Sequence, residues 1–345
     1  MLKRWRTWLG IAISVAAIAW AAQGVDWGQF RASLATADWR LLAVLFVLSP
    51  IVNVGIRAVR WRILLSPVAS PSMAGCVSAT AIGLMANNVL PARIGEFVRA
   101  YSLGRRERIP TGTAFGSLFV ERMFDGFALV AILLVLTWVE PLPDWVDTTI
   151  RTAFAVFVGF LAFQVLLAIR PELFLSFARS VSLRFAKGRF QEPIDSALVT
   201  FVDGFGLLRR PWLAVVSFVL ALAQWSAITL TTWIGLAVFD LHARAGWPGS
   251  FFTTCVTAFG VSIPSSPGFI GTFEAFVVEA LGVFGIDRSA ALGFAVAYHV
   301  VSFVSVTALG LGYFVREGWS WRELEKSEER LEHELEKEFR EEIAP

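Results

Sequence analysis

Seven blocks of this chain run for at least 16 residues without an Asp, Glu, Lys or Arg: 7–25, 41–56, 63–92, 152–169, 211–239, 245–273 and 289–315. Backbone placed in hydrocarbon has to satisfy its own hydrogen bonds, which leaves only helices and closed barrels. Barrel strands are about 10 residues long and alternate apolar with polar positions. These blocks are longer and do not alternate, so the expected fold is an all-α polytopic membrane protein. Composition agrees: 17% of residues are charged, against about 25% in soluble domains, and the mean hydropathy is +0.63.

The few charges exclude some classes. Basic residues cluster at the ends of apolar blocks rather than on one face, so nucleic acid is not an expected partner. Cys76 and Cys255 lie in separate apolar blocks, which reads as two buried thiols and neither a disulfide framework nor a metal site. The start, Lys3-Arg4-Trp5-Arg6 followed by an apolar run, has the flank of a signal peptide, with Ala19-Trp20-Ala21 in the cleavage position. The run is long for that role and more spans come after it, so an uncleaved first helix is expected.

Blocks 63–92 and 245–273 are broken by Pro and Gly, and charge counting decides how to treat them. Basic residues near spans stay cytoplasmic. If both blocks are re-entrant hairpins, 18 basic residues fall inside and 5 outside; if both cross fully, the split is 8 and 15. The first arrangement is expected: about six full transmembrane helices (7–25, 41–56, 111–139, 152–169, 212–239 and 289–315), re-entrant hairpins over 63–103 and 247–286, and both termini cytoplasmic. Eight spans is the alternative.

The two broken blocks also resemble one another. Thr80-Ala81-Ile82-Gly83 precedes Pro91-Ala92-Arg93-Ile94-Gly95, and Thr257-Ala258-Phe259-Gly260 precedes Pro267-Gly268-Phe269-Ile270-Gly271 by nearly the same gap. Three full spans lie between them, so the hairpins would enter from opposite faces as an inverted repeat. In transporters such paired broken segments point to the substrate site. A restarting half-helix offers free amides and a partial positive charge to an anion. Ser265, Ser266, Gly268 and Gly271 have that character, and a simple kinked helix is the plainer reading.

Ionisable residues inside the apolar stretches are the remaining signal. Glu121 and Asp125, four apart, share one face of a long helix, Arg122 can reach Asp125 at three, and each unpaired charge at mid-membrane costs about 2.5–3.5 kcal/mol. They should face a cavity or a partner helix, as an ion-pair network or as a functional cluster. Near the first hairpin, Arg93 and Arg99 have the planar fork that holds oxyanions, with Asn87, Asn88 and Glu96 beside them. Glu274 comes three residues after Gly271 and would pair with an arginine of the first hairpin or carry a coupling proton. His299 reads as an interhelical hydrogen bonder. Arg57 and Arg60 read as interfacial anchors first and headgroup contacts second.

Taken together, Arg57-x-x-Arg60-Trp61, Asn88-x-x-Pro91-x-Arg93-x-Gly95-Glu96-x-x-Arg99, Glu121-Arg122-x-x-Asp125 and Pro264-x-x-Pro267-Gly268-x-x-Gly271-x-x-Glu274 resemble the flippase-like transmembrane domain of lysylphosphatidylglycerol synthases. The resemblance covers most of 1–315. In two-part members, the membrane domain is thought to move aminoacylated phosphatidylglycerol between leaflets while a soluble domain makes it. Only 30 residues remain from Arg316, so the resemblance implies translocation without synthesis and a non-enzymatic chain in the cytoplasmic membrane. Its implied partners are an anionic or zwitterionic phospholipid or a polyprenyl-phosphate lipid, with a second copy or a separate synthase as protein partner.

The competing classes are a membrane enzyme acting on lipid-linked substrates and a non-transporting assembly partner. The first would want a D-x-D metal motif or a clustered His/Asp set; there is no D-x-D, and His242, His299 and His333 are scattered. No cofactor is expected, and no G-x-x-x-x-G-K-[ST] loop is present to cradle a nucleotide. The segment 316–345, with 11 acidic and 6 basic residues, reads as an amphipathic cytoplasmic helix.

Overall fold

Aspartates open the short amphipathic helix α2 (Trp27–Ala35) and the long helix after it. The Asp26 carboxylate accepts the Gly28 and Gln29 amides, and Asp38 accepts those of Arg40 and Leu41, satisfying donors that a helix start leaves free. The computed structural model describes residues 2–90, 94–170, 172, 210–263 and 265–321. Before α2 comes α1 (Leu2–Ala21); after it come α3 (Trp39–Pro50), a π-helical segment (Ile51–Ile56) and α4 (Arg57–Leu65). Next are α5 (Met73–Val89), α6 (Gly95–Glu107), α7 (Thr111–Val139), α8 (Asp144–Ile169), α9 (Pro211–Val238) and α10 (His242–Gly260). A 3-10 turn (Pro267–Phe269), α11 (Thr272–Val283) and α12 (Arg288–Arg316) complete the described residues, among which there is no strand. The tail expected to be amphipathic lies beyond Trp321, outside the described residues.

Three continuous helical stretches among the described residues are long and apolar enough to cross a membrane: Trp39–Leu65, Pro211–Val238 and Arg288–Arg316. The chain is an all-α polytopic membrane protein. α7 is equally long at 29 residues, about 43 Å of helix, but carries its three charges near the middle.

The structure revises the sequence-based boundaries in one place. Helix runs unbroken from Trp39 to Leu65, so 63–65 closes a span and the first hairpin is α5 with α6, starting at Met73. Pro50 has no amide to donate, and the backbone answers with a π segment rather than a stop. A π turn inserts an extra residue and rotates the rest of the helix by about 100° around its axis. Beyond it, Arg57, Ala58, Arg60 and Trp61 are buried.

The two hairpins pack their arms differently at the matching glycines. α5 crosses α6 where glycine meets glycine: a Cβ on Gly95 would lie 2.2 Å from the Gly83 carbonyl oxygen, and one on Gly83 would lie 2.7 Å from that of Gly95. The glycine matching Gly83 in the repeat, Gly260 at the end of α10, lies against the Phe276 ring of α11. α10 restarts at its own beginning, with Gly246 at φ 60° and Pro248 in the first turn after it. α12 packs along α5, α11, α3 and α2, and α9 packs on α3, α7 and α10. Cys76 and Cys255 are both free and buried.

Candidate functional site

Half-way along α7, Glu121 is fully buried and Asp125 nearly so; their partners come from three helices. Arg60 of α4 reaches Glu121 at 3.2 Å and Asp125 at 2.6 Å. Arg99 of α6 reaches Glu121 at 3.0 Å and Glu96 at 4.0 Å. Arg122 reaches Glu96 at 3.4 Å, Glu121 at 3.2 Å and Asp125 at 3.4 Å. Trp61 stacks beneath the Arg99 guanidinium at 4.2 Å and donates its indole N–H to Ser117 at 2.9 Å. The Trp225 indole of α9 donates to Asp125 at 3.2 Å. Burial of this many charges is tolerated because each has an opposite partner.

Glu121, Arg122 and Asp125, read from the sequence as one cluster, and Arg99 and Glu96, read as members of the first hairpin's phosphate site, lie in one network. Arg60 was not foretold: it reads as the charged end of a span, yet is wholly buried between two carboxylates. Pro50, ahead of Arg57 and Arg60 in the same helix, was the signal that the helix face would turn before them.

The second hairpin is organised differently from the expectation. Glu274 meets His299 of α12, not an arginine of the first hairpin: His299 Nδ1 lies 2.6 Å from Glu274 Oε1, and the Phe273 ring stacks on the imidazole at 4.3 Å. Its other oxygen accepts the Gly271 amide at 2.6 Å. The Ser266 amide donates to Ser14 Oγ of α1 at 2.9 Å, and Thr272 donates to Ser265 at 3.2 Å. In the first hairpin the Gly95 amide is taken by the Asn87 side chain at 2.8 Å. The Ser266, Gly271 and Gly95 amides are thus engaged within the protein rather than left for an anion. Gly271 (φ 90°) and Gly268 (φ 70°) hold backbone that favours glycine.

The two tips do meet. A Cβ on Gly268 would lie 3.3 Å from the Asn88 carbonyl oxygen and 2.7 Å from the Phe303 ring, while the Asn88 side chain donates to Thr307 of α12 at 2.8 Å. Arg93 lies outside the described residues.

Two cavities flank the junction of α11 and α12. One, about 210 Å³, has Asn53, Arg57, Thr253 and Thr257 in its polar wall and Trp225 and Phe273 in its apolar wall. The other, about 560 Å³, is almost wholly apolar, with Trp27, Phe30, Val296 and Phe303 among its lining and the Glu274–His299 pair as its polar feature.

A bundle of apolar helices, two helical hairpins with touching tips and a largely buried charge network define a polytopic membrane protein built around a polar centre. The chain belongs to the family of lysylphosphatidylglycerol synthase transmembrane regions, whose profile matches residues 7–310. It is 27% identical over 332 residues to Glycosyltransferase AglD of Haloferax volcanii, covering 88% of this chain and 53% of that protein. It thus spans about half the length of that relative. To the UPF0104 membrane protein of Methanothermobacter thermautotrophicus it is 24% identical, covering 88% of this chain and 90% of the relative. The UPF0104 membrane protein MJ1078 of Methanocaldococcus jannaschii is 21% identical over 65% of this chain and 90% of its own length. No solved structure matches.

Proposed function

We propose that this chain moves a phospholipid or a lipid-linked phosphate between the leaflets of the cytoplasmic membrane, passively or coupled to an ion. The observation that carries this is the ion-pair network of buried Arg60, Arg99, Glu121 and Asp125 with the partly exposed Arg122 and Glu96, beside a cavity of mixed polar and apolar lining that shares Trp225 with it. A headgroup cannot enter hydrocarbon bare; fixed charges and dipoles must replace its hydration. A cluster that only tied helices together would need no cavity at its edge. Contact between Asn88 and Gly268 at the tips favours hairpins inserted from opposite faces, and the apolar cavity suits acyl chains.

The second reading, an enzyme acting on lipid-linked substrates, has the name of the Haloferax relative in its favour. One reconstitution separates the two. Purified protein in liposomes with labelled phosphatidylglycerol or a labelled polyprenyl phosphate is expected to expose the inner-leaflet label to an impermeant quencher without changing the lipid's mass. No exposure above that of protein-free liposomes refutes translocation, and an altered lipid mass favours the enzyme.

A further inference from the structure

Among the described residues, the charge network does not balance. Its carboxylates are Glu96, Glu121 and Asp125, while four guanidinium groups gather around them: Arg57, Arg60, Arg99 and Arg122. Three of the four reach a carboxylate within 4.0 Å. Arg57 reaches none, makes no hydrogen bond, and is only 7% exposed, with its Nε wholly enclosed. It lies one helical turn before Arg60 and lines the 210 Å³ cavity.

Two hydroxyls in the same wall are also without partners. Thr253 and Thr257, one turn apart on α10 and 2% and 7% exposed, have buried oxygens with no hydrogen-bond partner. Other polar groups around the cavity are satisfied: Thr232 and Thr254 bond one another at 2.9 Å, Tyr298 bonds Thr231 at 2.7 Å, and the Asn53 amide donates to the Ser49 carbonyl at 2.9 Å. Unpaired buried donors cost free energy, heavily so for a charge. A buried guanidinium with no carboxylate within 4.0 Å and two threonines with unbonded hydroxyls thus line one cavity.

We infer that Arg57, Thr253 and Thr257 form a binding site for a singly charged phosphate oxyanion, the charge and acceptor pattern of a phosphodiester. One negative charge neutralises the surplus. The guanidinium fork holds two oxygens of such a group, and the threonine hydroxyls donate to the others. The cavity has room for a phosphate with further heavy atoms of a headgroup. A carboxylate lacks the third and fourth oxygens, and a cation is repelled. The inference deepens the translocation reading by naming the headgroup chemistry held at this place, and it is tested by binding alone, so that it stands or falls apart from transport.

The test is calorimetric titration of the full chain in an uncharged maltoside detergent with short-chain phosphatidylglycerol, and separately with inorganic phosphate. Wild type is expected to bind the lipid, and Arg57→Gln to bind it about 10- to 100-fold more weakly, the worth of a charged hydrogen-bonded contact. Thr253→Val and Thr257→Val keep size and charge and should each weaken binding several-fold. They decide the matter if Arg57→Gln does not fold. Phosphate competing with the lipid would identify a general oxyanion site; phosphate without effect would identify a lipid headgroup site. The inference is overturned if wild type binds neither probe, or if Arg57→Gln and the threonine variants bind as wild type does.

Discussion

Arg57 and Arg60 are a turn apart on one helix, and their contrast gives the sharpest test at the residue scale. Arg60 is locked between Glu121 and Asp125, and Glu121 is also the nearest carboxylate to Arg99, so Glu121→Gln removes one partner from each of two buried guanidinium groups. Breaking a buried pair from one side costs about 3–5 kcal/mol, and the unfolding midpoint in detergent should fall accordingly. Arg57→Gln removes no ion pair and should leave that midpoint close to wild type. Equal losses in the two variants would mean that Arg57 has a stabilising partner. Charge spacing made Glu121, Arg122 and Asp125 legible from the sequence, because three ionisable residues within an apolar helix demand partners. Arg60 was not legible: it comes after an uncharged block, where a basic residue normally marks the membrane surface, and only a π segment brings it into the core. Glu274 was legible as a polar residue in a special place but not as the partner of His299, since proximity across 25 positions is set by how α11 packs on α12.

At the scale of elements, the hairpins depend on how closely their arms approach. A side chain at Gly95 would drive into the Gly83 carbonyl, and overpacking of this kind costs about 1–3 kcal/mol or more. Gly95→Val should therefore lower the unfolding midpoint well beyond Gly312→Val, where a Cβ meets nothing within 4 Å; similar effects would show that the crossing is looser than described. Asp287, which caps α12, gives a pH-dependent counterpart. Burial pushes its carboxyl up, but the amides of Ser289 and Ala290 outweigh this and hold it below its ordinary value of 3.8. A depressed folded value stabilises above the ordinary range and is lost as pH falls through the folded one. Asp287→Ala should cost about 1 kcal/mol at neutral pH, and the gap from wild type should close in strong acid. A gap that persists there would mean that the cap is not ionic. Pro and Gly marked both broken segments in the sequence, and the structure finds helix ends at each. The first hairpin's start was misplaced because residues 63–72 carry no charge to separate the end of one helix from the next.

The whole molecule combines a polar centre with a topology that charge placement predicts. The charge count puts the end of α6 on the same face as Ser182, which lies outside the described residues. Arg105→Cys and Ser182→Cys should therefore both label from that face in sealed vesicles. Two spans separate these positions in either arrangement, so labelling from opposite faces would contradict both. Arg62→Cys labels from the face of Arg105→Cys if the first broken segment is a hairpin, and from the opposite face if there are eight crossings. The helical membrane class was readable from uncharged blocks alone, because hydrocarbon leaves the backbone few choices. The cavities were not, since they are spaces between helices whose packing no local pattern encodes. The central claim is that a phosphate-bearing headgroup crosses through this interior while its acyl chains pass by the apolar cavity that holds the Glu274–His299 pair. Its most direct test is the initial rate at which labelled phosphatidylglycerol changes leaflet in liposomes holding equal amounts of wild type or Glu274→Gln, an isosteric change that can still accept the Gly271 amide. Rapid exchange is expected with wild type, and a fall to the protein-free leak with Glu274→Gln that is folded and incorporated to the same extent. Equal rates in the two would contradict the claim.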